Sequence, residues 1–312
     1  MVAALVGCSS GTAEPSDADD DLGTLRVVTT VPNSLQFIGV QAADTLGTWE
    51  GTGLKVEVVD GTSPNSGQFL AGGQADIAMT DGIRGLANIG EGLDATFVAG
   101  TYKPWPQLVI VRADYPGDTF ADLKGANFGI SGTGSAGHYA THKLAEAEGW
   151  SESDYTITPL GNLQAITAAL QSGAIDAFTW SADTGFDLEE KGIARVLGPT
   201  AEVVGPNLFQ GFVVMNNVIE ERPEALRVFF ENYFSTIERV QQEPESAVEV
   251  MVGWGVGQSA AERTVEQDVP ELSTDGKVTA ENLRGLEEAA EFATGNVVDA
   301  DEHFVYWQDL LK

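Results

Sequence analysis

A run of small polar residues, SGTGS at 131–135, lies between an apolar segment and an amphipathic one. The residues before it predict a buried strand, and those after it predict a helix from about 136 to 149. The hydroxyls and free backbone N–H groups of the run, with the positive end of the helix dipole, could hold an anion or another polar ligand. The same composition is typical of an ordinary glycine-rich turn between a strand and a helix. Both interpretations stay open on this stretch alone.

Two carboxylates, Asp81 and Asp183, stand where predicted strands end and predicted helices begin. A carboxylate at such a position either caps the helix or faces a ligand. In the second case the ligand carries a hydrogen-bond donor or a positive charge. Lys103 is the one basic residue that the neighbouring loops clearly offer. A zwitterion or a neutral polar molecule is therefore favoured over a doubly charged anion.

Aromatic and histidine side chains accompany the same loops. Tyr102, Trp105 and Trp180 form either walls for an apolar or aromatic part of a ligand or packing in the core. His138 and His142 are four residues apart on the predicted helix, with no H-E-x-x-H pattern and no cysteine cluster to complete a metal site. We therefore predict no metal site, no cofactor and no catalytic residue.

Strand-like and helix-like segments alternate along the chain, which predicts βαβ units and an α/β fold with parallel sheets. The predicted strands lie at 25–30, 54–59, 75–79, 95–99, 107–112, 126–130, 155–160, 174–180, 194–197 and 207–215. The strands at 107–112 and 207–215 are interpreted as crossovers between two lobes. Residues 35–49 predict one helix capped by Ser34, and the chain after 217 is predicted to be helical. Ligands of such folds bind where the loops after the strands meet, here 30–34, 62–66, 80–82, 131–135 and 180–183.

Two similar segments indicate that the chain contains two similar halves. The segments GQADIA at 73–78 and GAIDAF at 173–178 share a Gly-x-x-Asp pattern, and each follows a short predicted helix and precedes a polar loop. Two such matches also arise by chance in α/β proteins, because helix-to-strand junctions use this chemistry routinely. The similar surroundings of the two segments favour a duplicated lobe.

The charge of the chain limits its partners. Sixteen Lys and Arg residues stand against 47 Asp and Glu residues, a formal net charge of −31. Nucleic acid is excluded as a partner, because binding phosphate requires the opposite sign. The acidic residues are distributed along the chain, which predicts a solvated surface suited to a salt-rich habitat and a stability that rises in molar salt. The chain contains no run of 18 apolar residues, so no membrane-spanning helix is predicted.

The chain has a single cysteine, so it cannot form an internal disulfide. Cys8 follows Leu5-Val6-Gly7 and precedes a polar stretch rich in Asp. The short apolar segment before Cys8 resembles a bacterial or archaeal lipoprotein signal, with Cys8 as the lipidated residue. Residues 1–21 are accordingly interpreted as a signal remnant and a disordered tether.

Three longer segments resemble one known family. They are GQADIAMTDGIRGLANIGEGLDATFVAG, FADLKGANFGISGTGSAGHYATHKLAEAEGW and ALQSGAIDAFTWSADTGFDLEEKGIARVL. In this order they are similar to the solute-binding proteins of ABC transporters for nitrate, sulfonates, taurine and thiamine-precursor pyrimidines. The resemblance implies a type II periplasmic-binding-protein-like fold of two α/β lobes joined by two crossover strands. It divides the chain into lobe 1 at 22–107, lobe 2 at 108–213, and a completion of lobe 1 with C-terminal helices packed on it at 214–312.

The resemblance also implies a function. The protein would be a monomer, anchored through Cys8 to the outer face of the cytoplasmic membrane, that captures a sulfonate-like, taurine-like or pyrimidine-like solute. It would deliver that solute to the permease and ATPase subunits of an ABC importer. The resemblance implies that the 131–135 loop, through Ser131, Thr133, Gly134 and Ser135, donates to an anionic group of the ligand. Together with the other loops at the strand ends, the predicted ligand-binding residues are Ser34, Gln36, Thr80, Asp81, Tyr102, Ser131, Thr133, Gly134, Ser135, Trp180 and Asp183. The alternatives are an enzyme of the related pyrimidine-synthesis type and a binding module of a sensor or of another transporter class.

Overall fold

Two five-stranded sheets organise the chain, which we describe over residues 21–311 of a computed structural model. The strands are β1 (Gly23–Thr29), β2 (Leu54–Asp60), β3 (Ile77–Asp81), β4 (Ala95–Gly100), β5 (Leu108–Arg112), β6 (Asn127–Ile130), β7 (Thr156–Pro159), β8 (Ala177–Trp180), β9 (Ala194–Pro199) and β10 (Gln210–Met215). The first seven helices are α1 (Ile38–Gln41), α2 (Ala43–Leu46), α3 (Ser66–Ala71), α4 (Gly82–Gly90), α5 (Ala136–Ala147), α6 (Leu163–Ser172) and α7 (Ala182–Glu190). The remaining helices are α8 (Ala201–Val204), α9 (Asn216–Glu221), α10 (Pro223–Gln242), α11 (Glu245–Gly253), α12 (Gln258–Asp268), α13 (Ala280–Thr294) and α14 (Trp307–Leu310).

The two sheets have the same topology. The first has the strand order β2-β1-β3-β10-β4, and the second has the order β7-β6-β8-β5-β9. In each sheet the strand in fourth place runs antiparallel to both of its neighbours, while the two pairs formed by the first three strands are parallel. The chain passes from the first sheet to the second between β4 and β5 and returns between β9 and β10. The predicted two-lobed α/β fold is confirmed.

The strands in the middle of each sheet are covered on both faces. Strands β3 and β5 carry four consecutive buried residues each, and β10 carries five. Such continuous burial is characteristic of sheets packed between helices. The edge strand β2 alternates between partly buried and exposed residues and has Val58 38% exposed. The core of each lobe therefore lies on both sides of its sheet.

The C-terminal helices complete the first lobe. Phe212 of β10 packs edge-on against Phe229, Phe230 and Tyr233 of α10, with ring centroids 5.7, 5.4 and 4.9 Å away. Helix α12 additionally reaches the second lobe, because Arg263 pairs with Glu189 of α7 at 2.7 Å. The C-terminal helices thus belong to the first lobe, and α12 is one that also contacts the second.

The predicted helix over 35–49 is broken in the structure. A 3-10 turn is followed by α1 and α2, and α2 ends at Gly47 with φ +64°. Gly39 lies so close to the Tyr233 ring that a Cβ there would stand 2.6 Å from it. The two glycines therefore serve a close contact and a left-handed turn rather than a long helix.

Cys8 and residues 1–20 of the predicted signal remnant and tether lie outside the described residues. Across residues 21–311, no helix has both the length and the apolarity needed to cross a membrane.

Candidate functional site

The loops that follow the strands meet between the two lobes, as the strand order requires. They enclose an inner cavity of about 80 Å³. Its lining comes from both lobes and consists of Thr30, Val31, Gln36, Ser63, Asp81, Gln107, Ser131, Ser135, Ala136, Gly137, Trp180, Ser181, Phe209 and Gln210. A water molecule occupies about 30 Å³ in the liquid, so the cavity has room for one end of a small solute.

A larger cleft of about 890 Å³ continues outward from the inner cavity. The two spaces share Thr30, Val31, Ser63, Ser131 and Trp180 as walls. Further out, the cleft is lined by the start of α6, by Asp183 and Asp187 of α7, and by the turn after α11 at 254–256. A solute can therefore be approached by groups from both lobes and from the C-terminal helices.

The walls of both spaces carry negative charge. Asp81 lines the inner cavity, and Asp183 and Asp187 line the outer cleft. Among the described residues that line either space, none is Lys, Arg or His. Burial raises the pKa of Asp81, which a hydrogen bond from Ser63 partly offsets. The site therefore suits a ligand with hydrogen-bond donors or a positively charged end.

Asp81 is satisfied within its own lobe. Its carboxylate accepts a hydrogen bond from the backbone N–H of Arg84 at 2.8 Å, which caps α4. It also accepts a bond from the Ser63 hydroxyl. The capping interpretation therefore holds for Asp81, although the residue also lies on the cavity wall.

Asp183 instead joins the two lobes. Its Oδ2 accepts a hydrogen bond from the Ser34 Oγ at 2.6 Å and lies 3.3 Å from the Leu35 backbone N. Its Oδ1 accepts bonds from the Ser181 hydroxyl and from the Thr184 backbone N–H. The residue is 5% exposed. A carboxylate of the second lobe is thus held by donors of the first lobe at the edge of the cleft.

A chain of buried amides and hydroxyls extends from this contact. The Gln36 side chain donates to Ser34 Oγ at 3.3 Å, and the Gln210 side chain donates to Gln36 Oε1 at 3.2 Å. Thr101 Oγ1 donates to Gln210 Oε1 at 2.7 Å. Because each amide has its orientation determined by the next, Gln36 and Gln210 present defined polar groups to the inner cavity.

Two glutamines of the wall, Gln107 and Gln210, were not predicted as site residues. They belong to the apolar segments QLVIVR and NLFQGFVVM, beside the points where the chain passes between the lobes. Gln107 is fixed by the Thr179 hydroxyl, which donates to its Oε1 at 3.2 Å. A polar residue within a strongly apolar run is the signal that could have identified them, because a buried amide needs a partner.

Fewer residues of the 131–135 loop line the inner cavity than the composition of the loop predicts. Ser131 and Ser135 line the inner cavity, and Ser135 Oγ also caps α5 by accepting from the His138 N–H at 3.3 Å. The Gly134 N–H is not available to a ligand, because it donates to His138 Nδ1 at 3.1 Å. Thr133 is exposed and lies outside both linings.

The remaining predicted residues occupy different places. Trp180 lines both spaces. Thr80 is buried beside Ser66, with their hydroxyl oxygens 3.3 Å apart. Tyr102 packs edge-on against Phe209 with ring centroids 6.0 Å apart, and Trp105 packs against the same ring at 5.0 Å. Neither Thr80 nor Tyr102 contributes to the lining of the two spaces.

The two histidines of α5 face the C-terminal helix α13. The rings of His138 and His142 lie 4.8 and 4.5 Å from the Phe292 ring. In residues 21–311, no group of three His, Cys, Asp or Glu side chains is placed to hold a metal ion.

A family model described as NMT1/THI5 like matches residues 34–247, more than half of the chain. No curated protein sequence is significantly similar to the chain.

Several solved structures share the fold. The periplasmic aliphatic sulphonate binding protein SsuA from Escherichia coli is 18% identical, with a TM-score of 0.75 over 90% of this chain and 91% of that one. The alkanesulfonate-binding protein SsuA from Xanthomonas axonopodis pv. citri, bound to MOPS, is 17% identical, with a TM-score of 0.73 over 91% and 98%. The desulfurization enzyme DSZB is 17% identical, with a TM-score of 0.64 over 92% and 98%. At these identities the likeness establishes the fold.

Proposed function

The chain belongs to the NMT1/THI5-like family, and from this we propose that it is an extracytoplasmic solute-binding protein of an ABC importer. The observation that carries the proposal is a cavity between two lobes, with hydroxyl, amide and carboxylate groups among its walls, which come from the strand-end loops of both lobes. The likeness to two sulfonate-binding proteins supports it. The protein would work as a monomer that is anchored through Cys8 and delivers its solute to permease and ATPase subunits.

The solute is small, polar and organic. A cavity of about 80 Å³ corresponds to roughly two to three water molecules at about 30 Å³ each, which limits the part of the solute that is fully enclosed. The hydroxyls of Ser131 and Ser135 and the amides of Gln36, Gln107 and Gln210 supply donors, while Asp81 and Asp183 supply acceptors. A taurine-like zwitterion or a pyrimidine-like molecule with amino groups matches this mixture of groups.

Binding would act through lobe closure. A solute that contacts both lobes stabilises the closed arrangement relative to the open one, by as much as its affinities for the two differ. The hydrogen bond between Ser34 and Asp183 shows that the lobes can make direct contact at the site.

A thermal-shift screen followed by calorimetry tests the proposal. The panel contains taurine, ethanesulfonate, small amino acids and an aminopyrimidine. We expect one-to-one saturable binding of at least one member, and stabilisation by about 2.7 kcal/mol at a concentration of 100 times Kd. If no member binds, or if a member is chemically converted, the proposal is wrong.

Alanine substitutions of two serines and a threonine test where the solute binds. Ser131→Ala and Ser135→Ala each remove a hydroxyl from the cavity wall, and we expect about two- to tenfold weaker binding for each. Thr133→Ala is the matched control, because it removes a hydroxyl from the same loop outside the lining. An equal loss in all three variants would move the site away from the cavity.

A further inference from the structure

We infer that Asp183 determines the ligand specificity of this protein, because its carboxylate occupies the donors that an anionic ligand would need. The inference rests on the proposed function and assigns a substrate class to it. Neutral molecules and molecules with an ammonium or amino group are accepted, and simple anions such as alkanesulfonates are excluded.

The contacts of Asp183 are those of a bound anion. A hydroxyl and a backbone N–H of the first lobe, Ser34 Oγ and Leu35 N, lie 2.6 and 3.3 Å from its Oδ2. A hydroxyl and a backbone N–H of its own lobe, from Ser181 and Thr184, bind its Oδ1. Hydroxyls and backbone N–H groups are the donors with which proteins hold carboxylates and other oxyanions. Here the chain fills that set with a side chain of its own.

The surrounding charges strengthen the exclusion of anions. Asp187 stands one turn later on α7 and lines the same cleft. Asp81 faces the adjoining cavity, and no basic residue of the described chain lines either space.

An anion entering this site would meet the negative charge of Asp183, and no Lys, Arg or His among the residues that line the two spaces offsets it. It would have to share the Ser34 and Leu35 donors with a carboxylate, in a place where little water screens the repulsion. An ammonium or amino group meets no such penalty, because the same carboxylates accept its hydrogen bonds. Selectivity built on a repulsive group of this kind discriminates between ligands that have the same shape.

Titration calorimetry with ethanesulfonate tests the inference, with all variants at one fixed salt concentration. We expect negligible binding to the wild type. Asp183→Ala frees the Ser34 and Leu35 donors and removes the charge, so its Kd for ethanesulfonate should fall by about tenfold or more. The double variant Ser34→Ala/Asp183→Ala should lose that gain, because it lacks the hydroxyl that binds the anion.

Asp187→Ala is the matched control. It removes a carboxylate from the same helix and cleft, but Asp187 pairs with Lys191 and accepts from the Gly257 N–H rather than binding the first lobe's strand-end loop. An equal gain in Asp187→Ala and Asp183→Ala would overturn the inference, because it would show an effect of net charge alone. Tight binding of ethanesulfonate by the wild type, or no gain in Asp183→Ala, would also overturn it.

A second variant separates folding defects from specificity. Asp183→Asn keeps the size of the side chain and an oxygen that can accept from Ser34, and each variant's thermal unfolding is recorded before titration. We expect Asp183→Asn to fold and to gain less ethanesulfonate affinity than Asp183→Ala, and an equal or larger gain in the Asn variant would contradict the inference. The proposed function fails separately, if the wild type binds no member of the wider panel.

Discussion

The junctions β3–α4 and β8–α7 occupy the same place in two sheets of identical strand order, yet they use a carboxylate differently. In the first lobe, Asp81 is the residue that caps α4, and its bonds go to Arg84 N and Ser63 of the same lobe. In the second lobe, Ser181 stands before α7, and Asp183 lies within its first turn. There it reaches Ser34 of the opposite lobe.

The difference shows how little change turns a structural group into an interlobe contact. With the carboxylate at the second residue inside the helix rather than at the residue before it, one oxygen binds the Thr184 N–H of α7 and the other is left for a different donor. The side chain can then reach a donor across the cleft. Two lobes of one topology can thus present different groups to a shared ligand.

A second pair of acids has kept the same role in both lobes. Asp76 Oδ2 accepts from the Arg26 backbone N–H at 2.7 Å, and Asp176 Oδ2 accepts from the Asn127 backbone N–H at 2.9 Å. Each of these aspartates also pairs with an arginine. These two aspartates belong to the similar segments at 73–78 and 173–178. The repeated sequence pattern therefore corresponds to the same hydrogen bond and ion pair in each sheet.

The largest expected change in the free energy of unfolding comes from substitutions of the repeated pair, Asp76 and Asp176. Asp76→Ala should lower the free energy of unfolding by about 3 kcal/mol, because it leaves Arg26 and a backbone N–H without their partner. Asp176→Ala should cost less, about 1–2 kcal/mol, because the Asp176 side chain is 28% exposed and that of Asp76 is 11%. Denaturant midpoints measure both, and Asp76→Asn, which keeps an acceptor for the N–H, is the control. A larger loss at Asp176 would contradict the comparison.

The first residue of each junction helix tests how closely the lobes are packed. A Cβ added at Gly82 of α4 would lie 2.0 Å from the Leu208 carbonyl oxygen, so Gly82→Ala should cost about 2 kcal/mol. The second lobe already has Ala182 at this place, fully buried. The reverse substitution, Ala182→Gly, should cost only about 1 kcal/mol. Thermal unfolding separates the two substitutions. A Gly82→Ala variant as stable as the wild type would show that the backbone at Leu208 can move away.

The region near Asp183 should respond to pH through Asp268. Burial, with a smaller effect from Asp183, raises the pKa of Asp268 to about 7, above the value of about 3.9 in an unfolded chain. The folded state therefore holds a proton that the unfolded state has lost between these values. The stability that this proton provides is present at acid pH and is lost as the pH rises through 7.

Asp268→Asn should therefore stabilise the protein at pH 8 by about 1–2 kcal/mol, and the gain should fade toward pH 4. Glu266→Gln, at an exposed position of the same helix, is the control and should show no such trend. Unfolding midpoints between pH 4 and 8 measure the difference between each variant and the wild type. A gain that does not depend on pH would refute this assignment.

The smallest effect concerns the spacing of the lobes. Asp183→Ala removes the bonds to Ser34 and Leu35 and should increase the radius of gyration of the unliganded protein, with a stability change of about 1 kcal/mol or less. Asp81→Ala removes bonds inside one lobe and should leave the radius unchanged. Small-angle X-ray scattering compares the two variants, and equal radii would show that the Ser34–Asp183 bond does not hold the lobes together.

Local patterns were enough to predict the architecture. The alternation of apolar strands and amphipathic helices and the polar loops at the strand ends are encoded within short windows. Burial of apolar side chains and the turn chemistry of Gly, Ser and Asp act over such windows. For this reason the two-lobed fold could be predicted from the sequence, and the loops at the strand ends could be named as the candidate site.

The partners of each polar group were decided by the tertiary structure. Ser34 and Asp183 are 149 residues apart, and Gln36 and Gln210 are 174 apart, so no local pattern could pair them. The Gly134 N–H, a predicted ligand donor, donates to His138 instead. Gly39, in a segment predicted as one helix, packs against the Tyr233 ring. A hydrogen bond depends on tenths of an ångström between atoms that only packing brings together. The sequence by itself therefore determined which loops form the site, while the folded chain decided which of their groups remain free to bind.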